Sequence, residues 1–246
     1  MPRPFARALS LIAIVAAAAW TQSHAATDKS LDPLVADPQH YHLDFENQYV
    51  QVTREHMGPH GTMPIHQHLP PGALIVFVTA RNNRLTTPDG KSQVTTNQPG
   101  EIQWAGPVTH RSENLNNAEF EAVRIQPKEL AAGAAPKPAP PEKMDPVVTD
   151  PQHYKVEFEN QYVRAIRVKI GPHEKLKMHR HPDTDAVIVL LTDQNMRQQH
   201  PDGKATENHS KAGTSRWAPP DAGHIDENLG DSPVELIRVE LKQARP

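Results

Sequence analysis

The chain is written twice. Leu31 to Val50 (LDPLVADPQHYHLDFENQYV) returns as Met144 to Val163 (MDPVVTDPQHYKVEFENQYV), an offset of 113. That offset runs without a gap to Thr109 and lengthens by one residue before His224. Gly58-Pro59-His60 matches Gly171-Pro172-His173, Trp104 matches Trp217, and the stretch from His110 to Leu115 matches that from His224 to Leu229. Each copy is long enough to be a domain rather than one turn of a solenoid. Two similar units, 31–128 and 144–243, are therefore expected within the 246 residues. Between them, residues 129–143 are rich in alanine and proline. Such a composition cannot fill a core and suits a semi-rigid extended spacer.

Within each unit the signals are those of strands. Tyr49 to Glu55 (YVQVTRE) and Tyr162 to Lys169 (YVRAIRVK) alternate apolar with polar residues. Ala73 to Val78 (ALIVFV) and Ala186 to Leu191 (AVIVLL) are unbroken apolar runs, the pattern of a strand covered on both faces. The Pro-Asp-Gly-Lys tetrads at Pro88 and Pro201 read as hairpin turns, because proline presets φ and glycine accepts φ > 0. Twenty-five prolines and no sustained helical periodicity leave an all-β sandwich or barrel in each unit.

The first 25 residues read as a secretory signal peptide. Arg3 and Arg7 precede an apolar run from Ala8 to Trp20, and Ser23-His24-Ala25 offers small residues for cleavage after Ala25. The run is shorter than the roughly 17–25 residues of a membrane span. The mature protein is thus expected in the periplasm or secreted, with no membrane attachment after cleavage. A formal charge of −3 gives no basic face for nucleic acid. There is no cysteine, so any metal must be held by histidine, carboxylate or carbonyl oxygen.

Fifteen histidines are present, and six of them fall into two matching sets. His66-Gln67-His68 with His110 recurs as His179-Arg180-His181 with His224. Residues i and i+2 of a strand share a face, so a His-x-His pair aims two imidazoles into one space. A third imidazole from a distant strand can complete a triangle. Three neutral imidazoles suit Fe, Ni, Cu or Zn and leave coordination positions open.

The same residues resemble the two motifs of the cupin family. The first appears as GPHGTMPIHQHLPPG and GPHEKLKMHRHPDTD, the second as GEIQWAGPVTHRSEN and GTSRWAPPDAGHIDEN. The resemblance covers nearly all of the mature chain, twice, and implies two tandem cupin-type double-stranded β-helix (jelly-roll) barrels, a bicupin. It also implies a divalent ion, Fe, Mn, Ni or Zn, in each barrel. The family's glutamate ligand is replaced by Gly72 in the first unit and by Asp185 in the second. Asp185 is therefore a candidate fourth ligand, and the first site would be three histidines alone. By resemblance, the three-histidine set suggests a metal-dependent dioxygenase acting on a small chelating substrate. A non-catalytic protein binding a sugar, an organic acid or the metal itself is the other reading, and monomer and homodimer are both open.

Other duplicated residues carry lesser expectations. Arg54/Arg167 and Arg124/Arg238 are expected on solvent faces, the other possibility being an inward arginine that clamps a carboxylate. Asn114/Asn228 share the face of the third histidine and could orient a ligand or water. Trp104/Trp217 are expected in the core or as a pocket wall. His60/His173 are expected to satisfy loop backbone, and His40/His153 to be structural.

Overall fold

The computed structural model describes residues 28–128, 143–181 and 184–242. The signal-peptide segment, the spacer residues 129–142 and the end of the second unit at 243 lie outside them. The described residues form strands and only single turns of helix, including α1 (Pro33–Ala36) and α2 (Pro146–Thr149). Each of these two is capped by an aspartate, Asp32 or Asp145, that accepts from the backbone N–H two residues on.

The first unit contains β1 (Tyr41–Glu46), β2 (Val50–Met57), β3 (Thr62–His68), β4 (Ala73–Phe77), β5 (Arg81–Thr86), β6 (Ser92–Asn97), β7 (Ile102–Ala105), β8 (Val108–Asn114) and β9 (Phe120–Pro127). They make a five-stranded sheet ordered β1-β2-β9-β4-β7 and a four-stranded sheet ordered β3-β8-β5-β6, all antiparallel. The second unit contains β10 (Tyr154–Glu159), β11 (Val163–Ile170), β12 (Ala186–Leu190), β13 (Gln194–Gln199), β14 (Ala205–Ser210), β15 (Ser215–Ala218), β16 (Ile225–Asn228) and β17 (Val234–Leu241). Its sheets run β10-β11-β17-β12-β15 and β14-β13-β16. The counterpart of β3 is reduced to two isolated bridges, Lys175 with Glu227 and His179 with His224. Each unit is a two-sheet jelly roll, as the strand pattern predicts.

Strand parity decides what each five-stranded sheet buries. From β2, Val50 and Val52 face outward with Leu74 and Val76 of β4 and Val123 and Ile125 of β9. The alternate residues Met57, Ile75, Phe77, Phe120 and Ala122 point into the barrel. The second unit repeats this division, with Val163, Ala165, Val187, Val189, Ile237 and Val239 on its outer face. The two outer faces form one continuous apolar cluster, so each barrel covers the other. This is why β4 and β12 are apolar at every position: one face lines a barrel and the other lies between barrels.

The seam has a pseudo-twofold character. Trp104 stacks on Tyr162 and Phe158 with ring centroids 5.7 and 6.0 Å apart, and Trp217 stacks on Tyr49 at 6.1 Å. The tryptophans thus serve the contact between units, not a pocket wall. Arg54 and Arg167 follow the same parity and are not solvent-facing. Arg54 pairs with Asp44 and Glu121 and donates to the Gly213 carbonyl at 2.8 Å. Arg167 pairs with Glu157 and Glu235 and donates to the Gly100 carbonyl at 2.6 Å. Gly100 and Gly213, both at φ 81°, occupy equivalent turns. The reciprocity is that of an isologous dimer enclosed in one chain.

Because Trp104 is held by two aromatic rings of the opposite barrel, Trp104→Ala is expected to lower the unfolding free energy by about 2–4 kcal/mol. Denaturant unfolding followed by circular dichroism measures this, and a midpoint equal to wild type would contradict the packing role.

Candidate metal centres

β3 and β8 are antiparallel neighbours, and their register sets His66 directly opposite His110. His68, two residues along β3, projects to the same side. The three ring centroids lie 4.7–5.2 Å apart. In the second unit the His179–His224 bridge preserves the pairing, and His179, His181 and His224 have centroids 4.5–5.5 Å apart. Within each trio the candidate ligand atoms lie within 4.8 Å of one another, and all six histidines are buried. The residues that the sequence singles out therefore meet in both barrels.

Each trio suits a cation for reasons beyond proximity. The Nδ1 of His66 lies 2.9 Å from the Pro64 carbonyl, and that of His179 lies 2.9 Å from the Lys177 carbonyl. A carbonyl can only accept, so Nδ1 carries the proton and Nε2 offers its lone pair to the cluster. Tyr41 and Tyr154 donate their hydroxyls to these Nε2 atoms at 3.1 and 3.0 Å. Both nitrogens of His110 are buried without a hydrogen-bond partner, as is Nδ1 of His181. Buried nitrogens left unpaired are costly unless something binds them. A divalent ion on the three imidazoles would occupy one nitrogen of His110 and would take the Nε2 lone pairs of His66 and His179 in place of the tyrosine hydroxyls.

The trios differ electrostatically. Burial pushes His66 down and His68 far down, and it lowers His110 to about 3. The first trio is therefore neutral. In the second, burial also depresses His179 and His181. Burial alone would depress His224 too. Instead Asp221, 2.6 Å from its Nδ1, and then Asp226, 3.3 Å from its Nε2, raise it to about 9. The first unit has Val108 and Ser112 where these two carboxylates stand.

Asp185, the candidate fourth ligand, is buried but does not join the cluster, which is made of three histidines. The acids beside the second trio are Asp221, Asp226 and Glu240, the last with its Oε1 3.4 Å from Nδ1 of His181, and none occupies the glutamate position of the motif. In the first unit no fourth ligand can stand at Gly72. A Cβ there would meet the Ala105 carbonyl oxygen at 2.4 Å, and φ is 103°.

Arg124 and Arg238 also depart from expectation. Parity on β9 and β17 turns them inward, and they are 3% and 5% exposed. Asn114 and Asn228 hold loops rather than a ligand. Asn114 Nδ2 donates to the Gly58 and Ala118 carbonyls, and Asn228 Nδ2 to those of Gly171 and Ser232. His60 and His173 sit in loops at φ 55°, bonded to Asn117 and Asp231, away from either trio. His40 and His153 bond Asp37 and Asp150 and are structural, as expected. The tyrosines Tyr41 and Tyr154 escaped the sequence reading, although each opens the first strand of its copy at the same position.

Solved structures place this architecture. The chain is similar to AerE from Microcystis aeruginosa (TM-score 0.57, 12% identity, covering 82% of this chain and 93% of that one). It is similar to procruciferin, an 11S globulin from Brassica napus (0.53, 10%, 78% and 76%). It is also similar to oxalate decarboxylase from Bacillus subtilis, a protein with Mn(II) centres (0.51, 15%, 81% and 71%). The fold is the cupin fold, present twice, and the chain is similar as well to a cupin 2 conserved barrel domain protein from Leptotrichia buccalis (0.50, 10%, 82% and 88%). No protein-family model matches this bicupin, and no curated protein matches it in sequence.

The charge difference gives the two sites different proton chemistry. At neutral pH the metal-free second trio holds a proton on His224 that a cation must displace, whereas the first holds none. Zinc binding to the second site should therefore release one proton and tighten about tenfold per pH unit up to near pH 9, while the first site stays nearly flat. Calorimetry in buffers of different ionisation enthalpy reads the release, with His179→Ala/His181→Ala isolating the first site and His66→Ala/His68→Ala the second. Equal release at both sites would refute the assignment.

Proposed function

We propose that this bicupin is an exported metal-binding protein whose histidine trios each hold a divalent ion, and that the first barrel acts on a small chelating substrate as an oxygenase. The observation that carries this reading is the pair of buried histidine trios, each with ligand atoms within 4.8 Å, in an all-β barrel. An ion held by three neutral imidazoles would supply Lewis acidity and open positions that template the reactants.

The protein's own groups define the surroundings. His68 and His110 of the first trio line a cavity of about 1000 Å³, large enough for a small organic molecule, which Leu69, Ile75 and Leu85 also line. The Pro64 carbonyl fixes the tautomer of His66, and the Tyr41 hydroxyl lies 3.1 Å from the nitrogen that would take the ion, beside the open positions. His181 and His224 of the second trio line a cavity of about 280 Å³. The segment Arg3 to Ala25 supports export.

Elemental analysis of protein purified without added metal is the direct test. Two equivalents are expected in wild type and one in each of the His66→Ala/His68→Ala and His179→Ala/His181→Ala variants. A wild-type protein free of metal would remove the proposal. The Fe(II)-loaded protein should consume oxygen with a diketone, thiol or phenolic substrate, and a flat trace with all three would leave metal binding without the oxygenase. Mass spectrometry of the protein exported from its native host should find an N-terminus at Ala26.

A further inference from the structure

Duplication has left an arginine at the same place in both barrels, Arg124 on β9 and Arg238 on β17, and the two have different surroundings. Arg124 lines the larger cavity beside His68 and His110, and its Nε and Nη2 are buried with no hydrogen-bond partner. Arg81 lines the same cavity with its Nε likewise unpartnered, while its Nη2 donates to Gln103 at 2.8 Å. Glu55 is the buried carboxylate set against these two guanidiniums. In the second barrel, Arg238 and Arg216 line the cavity and each also has a buried Nε without a hydrogen-bond partner, but three carboxylates accompany them: Glu240, 3.4 Å from the Arg238 Nε, and Asp221 and Asp226 in the cavity wall. The second unit has Val168 where the first has Glu55 and Gln194 where the first has Arg81, so the two interiors are built differently.

The geometry points to a division of labour: the first barrel holds an organic carboxylate, anchored on Arg124 with Arg81 beside it, while the second barrel takes a cation and no anionic ligand. A guanidinium is a planar fork that matches a carboxylate, and a buried one with free N–H groups gains most from such a partner. An inorganic oxyanion would leave the apolar wall of a cavity of about 1000 Å³ uncovered, whereas a carboxylate on an apolar body covers it. In the second barrel the carboxylates already balance the arginines. A divalent ion there would find its countercharge in place, and about 280 Å³ leaves little room for more. This inference rests on the proposed role of the first barrel as the one that takes the small molecule. The arginine anchor itself stands without metal.

Isothermal titration with salicylate, benzoate and succinate, in metal-free and in zinc-loaded full-length protein, tests it. At least one of the three should bind at one equivalent per chain, and the neutral amide of that acid should bind at least tenfold more weakly. Arg124→Gln should weaken the acid by about 10- to 100-fold, the range for losing a charge-assisted hydrogen bond. Arg124→Lys keeps the charge without the fork and should lose about tenfold, and it serves if the glutamine variant fails to fold. Arg84→Gln, a surface arginine on the same strand as Arg81 and paired with Glu113, should bind as wild type. The inference is overturned by two equivalents per chain, by unchanged affinity in a folded Arg124 variant, by equal binding of acid and amide, or by no binding of any acid below about 10 mM. Metal content, measured separately, keeps the two proposals apart. Arginine-dependent binding in a protein whose first barrel takes up no metal when metal is supplied would sink the oxygenase and leave the anchor standing, whereas metal in both barrels without acid binding would do the reverse.

Discussion

Everything in this molecule follows from the need to cover both faces of the five-stranded sheets. A strand whose successive side chains alternate across the sheet can be apolar throughout only if each face has a cover. The inner face is covered by the four-stranded sheet in the first barrel and the three-stranded sheet in the second, and the space between them becomes the cavity. The outer face is covered by the other copy. One alternation thus creates the metal cages on one side and the seam on the other. It also sorts the arginines: Arg54 and Arg167 share a face with the seam valines, and Arg124 and Arg238 share one with the barrel interior.

The seam bears on function because it fixes the sheets from which the cavities are built. Stacked rings and reciprocal arginine-to-carbonyl bonds tie each barrel to a turn of the other, at Gly100 and Gly213. Here the partner is covalently attached, so the outer face is covered at any protein concentration.

The two copies have kept their histidines and changed what surrounds them. Val108 against Asp221, Ser112 against Asp226 and Glu55 against Val168 are single exchanges at equivalent positions. Together they replace a neutral cage, whose nearby carboxylate Glu55 faces the guanidiniums, with one whose imidazole is gripped by carboxylates. Burial makes these exchanges count, because charges in a dry interior act on one another far more strongly than in water.

The sequence by itself determined a great deal: the duplication, the all-β class, the strands, and the six histidines with their likeness to the cupin motifs. These are local or periodic properties, and the repeat exposes them. Only the tertiary structure decided that Asp185 stands apart from the histidine cluster, that Asp221 and Asp226 flank His224, that Tyr41 and Tyr154 bond the ligand nitrogens, and that Trp104 and Arg54 serve the seam. Each of these depends on which strands are neighbours and in what register, and on which face the other barrel covers. Alternation along a strand says that two residues share a face, but it does not say whether that face meets a cavity, water or a second sheet.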